Sequence, residues 1–256
     1  MIARGETAAT GSVRRVPGVR PPPESAFGDY YLEYFMSTES VIFSGVGPDA
    51  DPWHPLPETS ARLAGVLAEL GPVHTVSTPD ELAKRLDQAA VLVVNASANR
   101  TGPTPADQQF GRLLEGFLAR GGGLLAIHSS TIAFPGLQSW HQAVGAIWEQ
   151  GKTFHPPLDR TLVRRTEVKH PIADGLGDFW VEDERYSDLD LADGSAIEVV
   201  YVHTHDDVTH PLVWAREYGG GRVVYSALGH DARSYESSDH VELLRRSTEW
   251  LKAARS

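Results

Sequence analysis

Apolar residues along the chain fall into short unbroken runs that alternate with stripes at helical spacing, and this alternation predicts most of the fold. Val41-Ile42-Phe43 reads as a short strand buried on both faces, followed by a loop over residues 45–57 that is rich in glycine and proline. Leu63, Val66, Leu67 and Leu70 mark one face of a helix that Gly71-Pro72 ends. A strand at residues 73–76, a helix over 79–86 and the buried strand Val91-Leu92-Val93-Val94 continue the pattern. After Pro105, a second helical face carries Phe110, Leu113, Leu114, Phe117 and Leu118. Gly121-Gly122-Gly123 closes it before the apolar run Leu124-Leu125-Ala126-Ile127, which stops at His128. Strands separated by helices at this spacing predict an α/β domain with a doubly wound, mostly parallel sheet and helices on both faces.

Past residue 130 the pattern is less regular. Residues 140–147 read as a helix, 161–166 as a strand, and His170-Pro171-Ile172 to Gly175-Leu176 as a turn with a short helix. Glu182-Asp183-Glu184 is an acidic stretch before Tyr186. The runs 197–202 and 212–215 read as neighbouring strands joined by a polar hairpin holding His203, His205, Asp206, Asp207 and His210. Gly219-Gly220-Gly221 introduces a strand over 222–228 that ends in Gly229-His230-Asp231, and a helix from about 240 to 253, with Val241, Leu244 and Trp250 as apolar contacts, closes the domain. Residues 1–37 show neither period and read as a disordered extension, with Met36 as a candidate start, and 38–256 read as one domain.

Composition removes several function classes. The net charge of −11 and the scattered basic residues argue against a nucleic-acid partner. Cysteine is absent, which excludes disulfides, thiolate metal ligands and a cysteine nucleophile. No apolar run approaches the roughly 18 residues of a membrane span and no secretory core opens the chain, so no membrane partner is expected and the cytoplasm is the expected compartment. What remains is a chain with two histidines, His128 and His230, offered at strand ends. The carboxyl edge of an open α/β sheet is where ligands bind.

Several motifs then agree in order and spacing. Gly121-Gly122-Gly123-x4-His128-Ser129 is followed by Trp140, Gly145, His155-Pro156, His170-Pro171-Ile172 and Asp183-Glu184-x-Tyr186. Later come Pro211-x2-Trp214, then Tyr218-Gly219-x-Gly221-Arg222-Val223-x-Tyr225-x2-Leu228-Gly229-His230-Asp231. Over roughly residues 40–254 this pattern resembles the trehalose-utilisation, ThuA-like family. The resemblance implies a flavodoxin-like fold similar to class I glutamine amidotransferases, and a link to sugar catabolism, especially of disaccharides whose C3 hydroxyl has been oxidised. Those amidotransferases carry a cysteine at the strand-to-helix turn where His128 stands, so glutamine hydrolysis is not expected here.

The residues themselves suit acid/base chemistry. His128, His230, Asp231 and Glu184 are the candidate catalytic groups, with Asp231 tuning His230 and Glu184 orienting an imidazole or ligating a metal. His54, Trp53, Ser129, Trp140, Asp183 and Tyr186 are candidate substrate-binding residues, the aromatic ones as platforms for a sugar ring. The same residue types could hold one divalent metal, zinc or manganese, through His128, His155, Glu184 and His230. The expected function is a carbohydrate-processing enzyme acting on a disaccharide or 3-keto sugar, with a small-molecule sugar as partner. A non-catalytic sugar-binding module, a metal-dependent small-molecule hydrolase and a homo-oligomeric state stay open.

Overall fold

The computed structural model describes residues 39–192, 194 and 196–253 of the 256-residue chain. The expectations for residues 1–37 and for Met36 lie outside the described residues. In chain order the strands are β1 (Glu39–Ser44), β2 (Val73–Val76), β3 (Ala89–Asn95), β4 (Gly123–Ile127), β5 (Ala146–Ile147), β6 (Asp159–Arg165), β7 (Phe179–Asp183), β8 (Asp190–Leu191), β9 (Glu198–His205), β10 (Val208–Tyr218) and β11 (Gly221–Ser226). The helices are α1 (Leu56–Leu67), α2 (Pro79–Ala83), α3 (Pro105–Ala119), α4 (Gln138–Val144) and α5 (Ser238–Lys252).

Nine strands form one sheet in the order β2-β1-β3-β4-β11-β10-β9-β6-β7, and β5 pairs separately with β8. From β2 to β11 the strands run parallel. Beyond β11 each neighbour is antiparallel. The doubly wound parallel arrangement is thus present, extended on one side by an antiparallel ladder. Helices α1 and α5 pack together over β1, β3 and β4, while α3 packs with α2 and α4. The central strands β3 and β4 are buried along their apolar runs, as a strand covered by helices on both faces must be.

Local chemistry sets the boundaries. Thr104 Oγ1 accepts the backbone N–H of Asp107, whose carboxylate accepts the Thr104 N–H, and this reciprocal cap starts α3 just before Pro105. The chain leaves α3 through Gly121 at φ 86°, a conformation that needs glycine after a helix. It then turns directly into β4. Because β1, β3, β4 and β11 are parallel, their carboxyl ends share one edge of the sheet.

The structure departs from the expected elements in four places. Residues 179–183 form strand β7 rather than only an acidic stretch. Strand β9 continues to His205, so His203 lies inside the sheet and fully buried, and only Asp206 and Asp207 make the hairpin turn, both at positive φ as a two-residue turn demands. Helix α5 buries Leu243, Leu244 and Leu251, while Trp250 sits partly buried against the His170 ring. Helix α4 ends at Gly145 and residues 146–147 are strand β5. His170 does fix its turn, accepting the Ile172 N–H on Nδ1.

One buried histidine outside the strand-end cluster gives a pH prediction. His240 is fully buried in the first turn of α5, where its Nδ1 meets the Ser234 carbonyl at 3.0 Å and its Nε2 has no partner. Burial lowers its pKa to about 4. The folded state therefore keeps this ring neutral while an unfolded chain takes up a proton below about pH 6.5. Its stabilising share is complete above pH 6.5 and falls by about 3 kcal/mol as the pH drops toward 4. An NMR titration should show the His240 ring neutral at pH 5 alongside a lower urea midpoint than at pH 7.5; a ring titrating near 6.5 in the folded protein would contradict this.

Candidate functional site

Four strand ends deliver the side chains of the site. The first comes from the loop after β1. Asp51 Oδ1 accepts the backbone N–H groups of Trp53 and His54 at 2.9 and 3.0 Å, a local turn that the Asp-x-x-His spacing allows. Its carboxylate also takes the His54 Nδ1–H at 2.7 Å and the Ser97 hydroxyl. Burial works against this charge, yet the bonds from His54 and Ser97 outweigh it and hold the Asp51 carboxyl at about 2. A carboxylate only accepts, so in the neutral His54 ring the proton sits on Nδ1 and Nε2 carries the lone pair.

The second comes from β4. His128 adopts φ 43°, an uncommon left-handed conformation for a side-chain-bearing residue, and this sharp turn lifts its ring above the sheet edge. Its Nδ1–H donates to the Ala227 carbonyl at 2.6 Å, which again leaves Nε2 as the lone-pair nitrogen. That Nε2 is buried, has no hydrogen-bond partner, and lies 3.6 Å from Glu184 Oε2. Burial drives the His128 pKa down to about 4, outweighing the opposing pull of Glu184.

The third and fourth come from β7 and β11, tied together by Asp183. Its fully buried carboxylate accepts the backbone N–H groups of Gly229 at 2.7 Å, His230 at 3.1 Å and Glu184 at 2.9 Å. Burial raises this carboxyl to about 7 despite those bonds. Gly229 has φ 119°, and a Cβ there would press on Ile127 and the Tyr235 hydroxyl, so only glycine makes the turn that presents His230. His230 Nδ1 then stands 3.1 Å from Glu184 Oε2, too poorly aligned to count as a hydrogen bond. Burial alone would lower the His230 pKa and raise that of Glu184. Their mutual attraction, with that of His128, reverses both shifts.

The donor atoms of His54, His128, Glu184 and His230 all lie within 4.8 Å of one another. Tyr186 forms the wall: its buried ring packs at a tilt against His128 with centroids 4.2 Å apart, and its hydroxyl donates to His54 Nε2 at 3.2 Å. Burial raises the phenol pKa well above its ordinary value, so it stays protonated. Trp148 meets the Tyr186 ring edge-on, with centroids 4.8 Å apart.

The residues expected from sequence divide. His54, His128, Glu184, His230 and Tyr186 converge, and Trp53 precedes His54 in its loop, 66% exposed. His155 stands at the mouth, with Nδ1 3.6 Å from the other Glu184 oxygen, so His54 rather than His155 completes the four-donor set. Trp140 is not a sugar platform: it is fully buried against Phe110 and Phe134 and donates its indole N–H to the Ser130 carbonyl. Asp183 does not face a ligand, since its oxygens are spent on backbone N–H groups. Ser129 is buried and donates to the Ala96 carbonyl. Asp231 binds Arg233 and caps the turn that begins there, acting on His230 only through its charge. Asp51 and Trp148 carried no role in the sequence reading. The spacing of Asp51 to His54 was available as a signal, whereas nothing local marked Trp148.

Comparison with known proteins agrees with this placement of elements. The chain is similar to a ThuA-like protein from Parabacteroides merdae with a TM-score of 0.70 at 18% identity, covering 84% of this chain and 90% of that one. It is similar to a second ThuA-like protein, from Bacteroides uniformis, with a TM-score of 0.65 at 15% identity over 84% and 91% of the two chains. A β-galactosidase from Rahnella sp. R3 shares the fold over 32% of its own length and 86% of this chain, with a TM-score of 0.59 at 15% identity. No protein of curated function matches. The sequence profile of the family described as "Trehalose utilisation" matches residues 50–251. With the profile spanning most of the chain, the protein belongs to the trehalose-utilisation, ThuA-like family.

Proposed function

We propose that this chain is a carbohydrate-processing enzyme that acts on a disaccharide or a 3-keto sugar by acid/base chemistry in the strand-end cleft. The observation that carries the reading is the convergence of three imidazoles and one carboxylate from four separate strand ends onto a single point, beneath aromatic side chains. Holding such groups together against their own desolvation is costly for a purely structural purpose. A sugar oxygen is activated over the four-group floor. Tyr186, protonated and already pointing at His54, donates to that oxygen, and His155, half-exposed beside Glu184, exchanges protons with solvent. Trp53 and Trp148 offer the apolar faces that a sugar ring stacks on. Glutamine hydrolysis has no agent here, because cysteine is absent and the Ser129 hydroxyl is committed to a backbone carbonyl.

The test is incubation of the full chain with a panel of disaccharides and their 3-keto derivatives, followed by proton NMR. The wild type should convert at least one of them, and Glu184→Gln, nearly the same size but uncharged, should do so about 100-fold more slowly. Saturable sugar binding with no product after long incubation would replace the enzyme by a binding module.

A further inference from the structure

We infer that His54 Nε2, His128 Nε2, His230 Nδ1 and the Glu184 carboxylate form the site of one divalent cation of the zinc or manganese class. The inference deepens the reading above by naming the cofactor of the same cleft, and it rests on that reading only for what the cation would do there. Three observations support it. Each is independent of the count of histidines.

The first is the state of the ring nitrogens. His54 and His128 each give their Nδ1–H to an acceptor, Asp51 and the Ala227 carbonyl, so both present lone pairs inward. Metal-ligating histidines almost always have such an outer acceptor, which fixes the tautomer and makes the inner nitrogen more basic. The second is that the inward atoms want a partner: His128 Nε2 and His230 Nδ1 are buried and neither has a hydrogen bond, although Glu184 Oε2 lies 3.6 and 3.1 Å from them. Buried nitrogens without a partner are rare in folded proteins and ask for an explanation. The third is spacing. Glu184 Oε2 lies 3.1 Å from His230 Nδ1 and 3.6 Å from His128 Nε2. Two ligands bonded at about 2.1 Å to one tetrahedral cation stand roughly 3.4 Å apart. Three nitrogens and a carboxylate oxygen suit zinc or manganese, and the lack of thiolates disfavours softer ions.

Bound there, a cation able to expand its coordination by one position would polarise a sugar oxygen and ease its deprotonation. The inward lone pair of His54 accepts the Tyr186 O–H. Binding at His54 releases that phenol to the cleft, so the cation and the proton donor are made ready together. Asp51 acts as a positioning residue. In Asp51→Asn the side-chain amide can donate to His54 Nδ1, which moves the ring proton to Nε2 and blocks the ligand.

The experiment is equilibrium dialysis of the full, metal-stripped chain against zinc or manganese, with elemental analysis of bound metal and the visible spectrum of a cobalt-substituted sample. The wild type should bind one equivalent. His128→Asn and Glu184→Gln should each weaken binding at least 100-fold, Asp51→Asn by about 10–100-fold, and Tyr186→Phe should bind as tightly as the wild type or more so. His205→Gln, at the end of β9 and outside the four-donor set, should change nothing. Sub-stoichiometric binding, or one equivalent lost with His205 but kept in His128→Asn, would overturn the inference. The two readings fail separately: one bound equivalent without turnover of any sugar removes the proposed reaction and keeps the site, whereas turnover by a protein that takes up no cation in the dialysis removes the site and keeps the reaction.

Discussion

Exchanging His128 for asparagine is expected to lower sugar turnover by about 10²–10⁴-fold while the protein stays folded. Asparagine is the informative replacement because it tolerates the left-handed backbone that residue 128 adopts at φ 43°, where most side chains would add strain to the lost chemistry. The His128 ring makes one hydrogen bond, to the Ala227 carbonyl, and supports one face of Tyr186. Loss of those contacts costs on the order of 1–3 kcal/mol, which an α/β domain with this core should survive. The circular dichroism spectrum should therefore match the wild type while product formation falls to near the detection limit. Full activity in a folded His128→Asn protein would take this ring out of the mechanism.

Replacing Asp183 by alanine is expected to have the largest effect on the fold near the site. One buried carboxylate accepts three backbone N–H groups and so holds the end of β7 to the turn after β11. Removing it orphans three donors, at roughly 1–3 kcal/mol each where buried. Part of that loss is offset, because a buried carboxylate is itself costly, as its pKa of about 7 shows. A net destabilisation of about 3 kcal/mol results, seen as a lower urea midpoint and a melting temperature lower by roughly 6–12 °C. Glu184 and His230 would lose their common anchor as well. Activity should thus fall further than stability alone explains at a temperature where the variant is still folded. A midpoint within 0.5 kcal/mol of the wild type would show that these N–H groups find other acceptors.

The parallel half of the sheet was legible because β1, β3 and β4 carry unbroken apolar runs and its helices begin and end on strong signals: Pro105 with its Thr104 cap, Gly121 after α3, Gly71-Pro72 after the first helix. The antiparallel half was harder for a physical reason. Strand β7 alternates inward and outward, but Trp180 faces out and Asp183 faces in, which inverts the polarity that marks a strand. His203 likewise reads as polar hairpin yet occupies an inward position of β9. His128, His230 and Glu184 could be named in advance because they sit at strand ends or in a family motif. The choice between His54 and His155 could not, since both lie in loops and only the folded chain shows which ring reaches the common point. Trp140 misled in the opposite sense: it is close in sequence to the strand end, but its helix turns it into the core against Phe110 and Phe134.

The central claim is that sugar is bound and processed over the four-group floor. It is tested most directly by two-dimensional NMR of the full chain, following histidine ring and tryptophan indole signals during titration with the disaccharides and 3-keto sugars of the panel. Shifts concentrated on His54, His128, His155, His230 and the Trp53 indole, with His205 and Trp250 unmoved, are the predicted result. Shifts centred instead on the groove of about 610 Å³ beside Arg222, Arg246 and Trp250, or no shifts with any sugar, would contradict it.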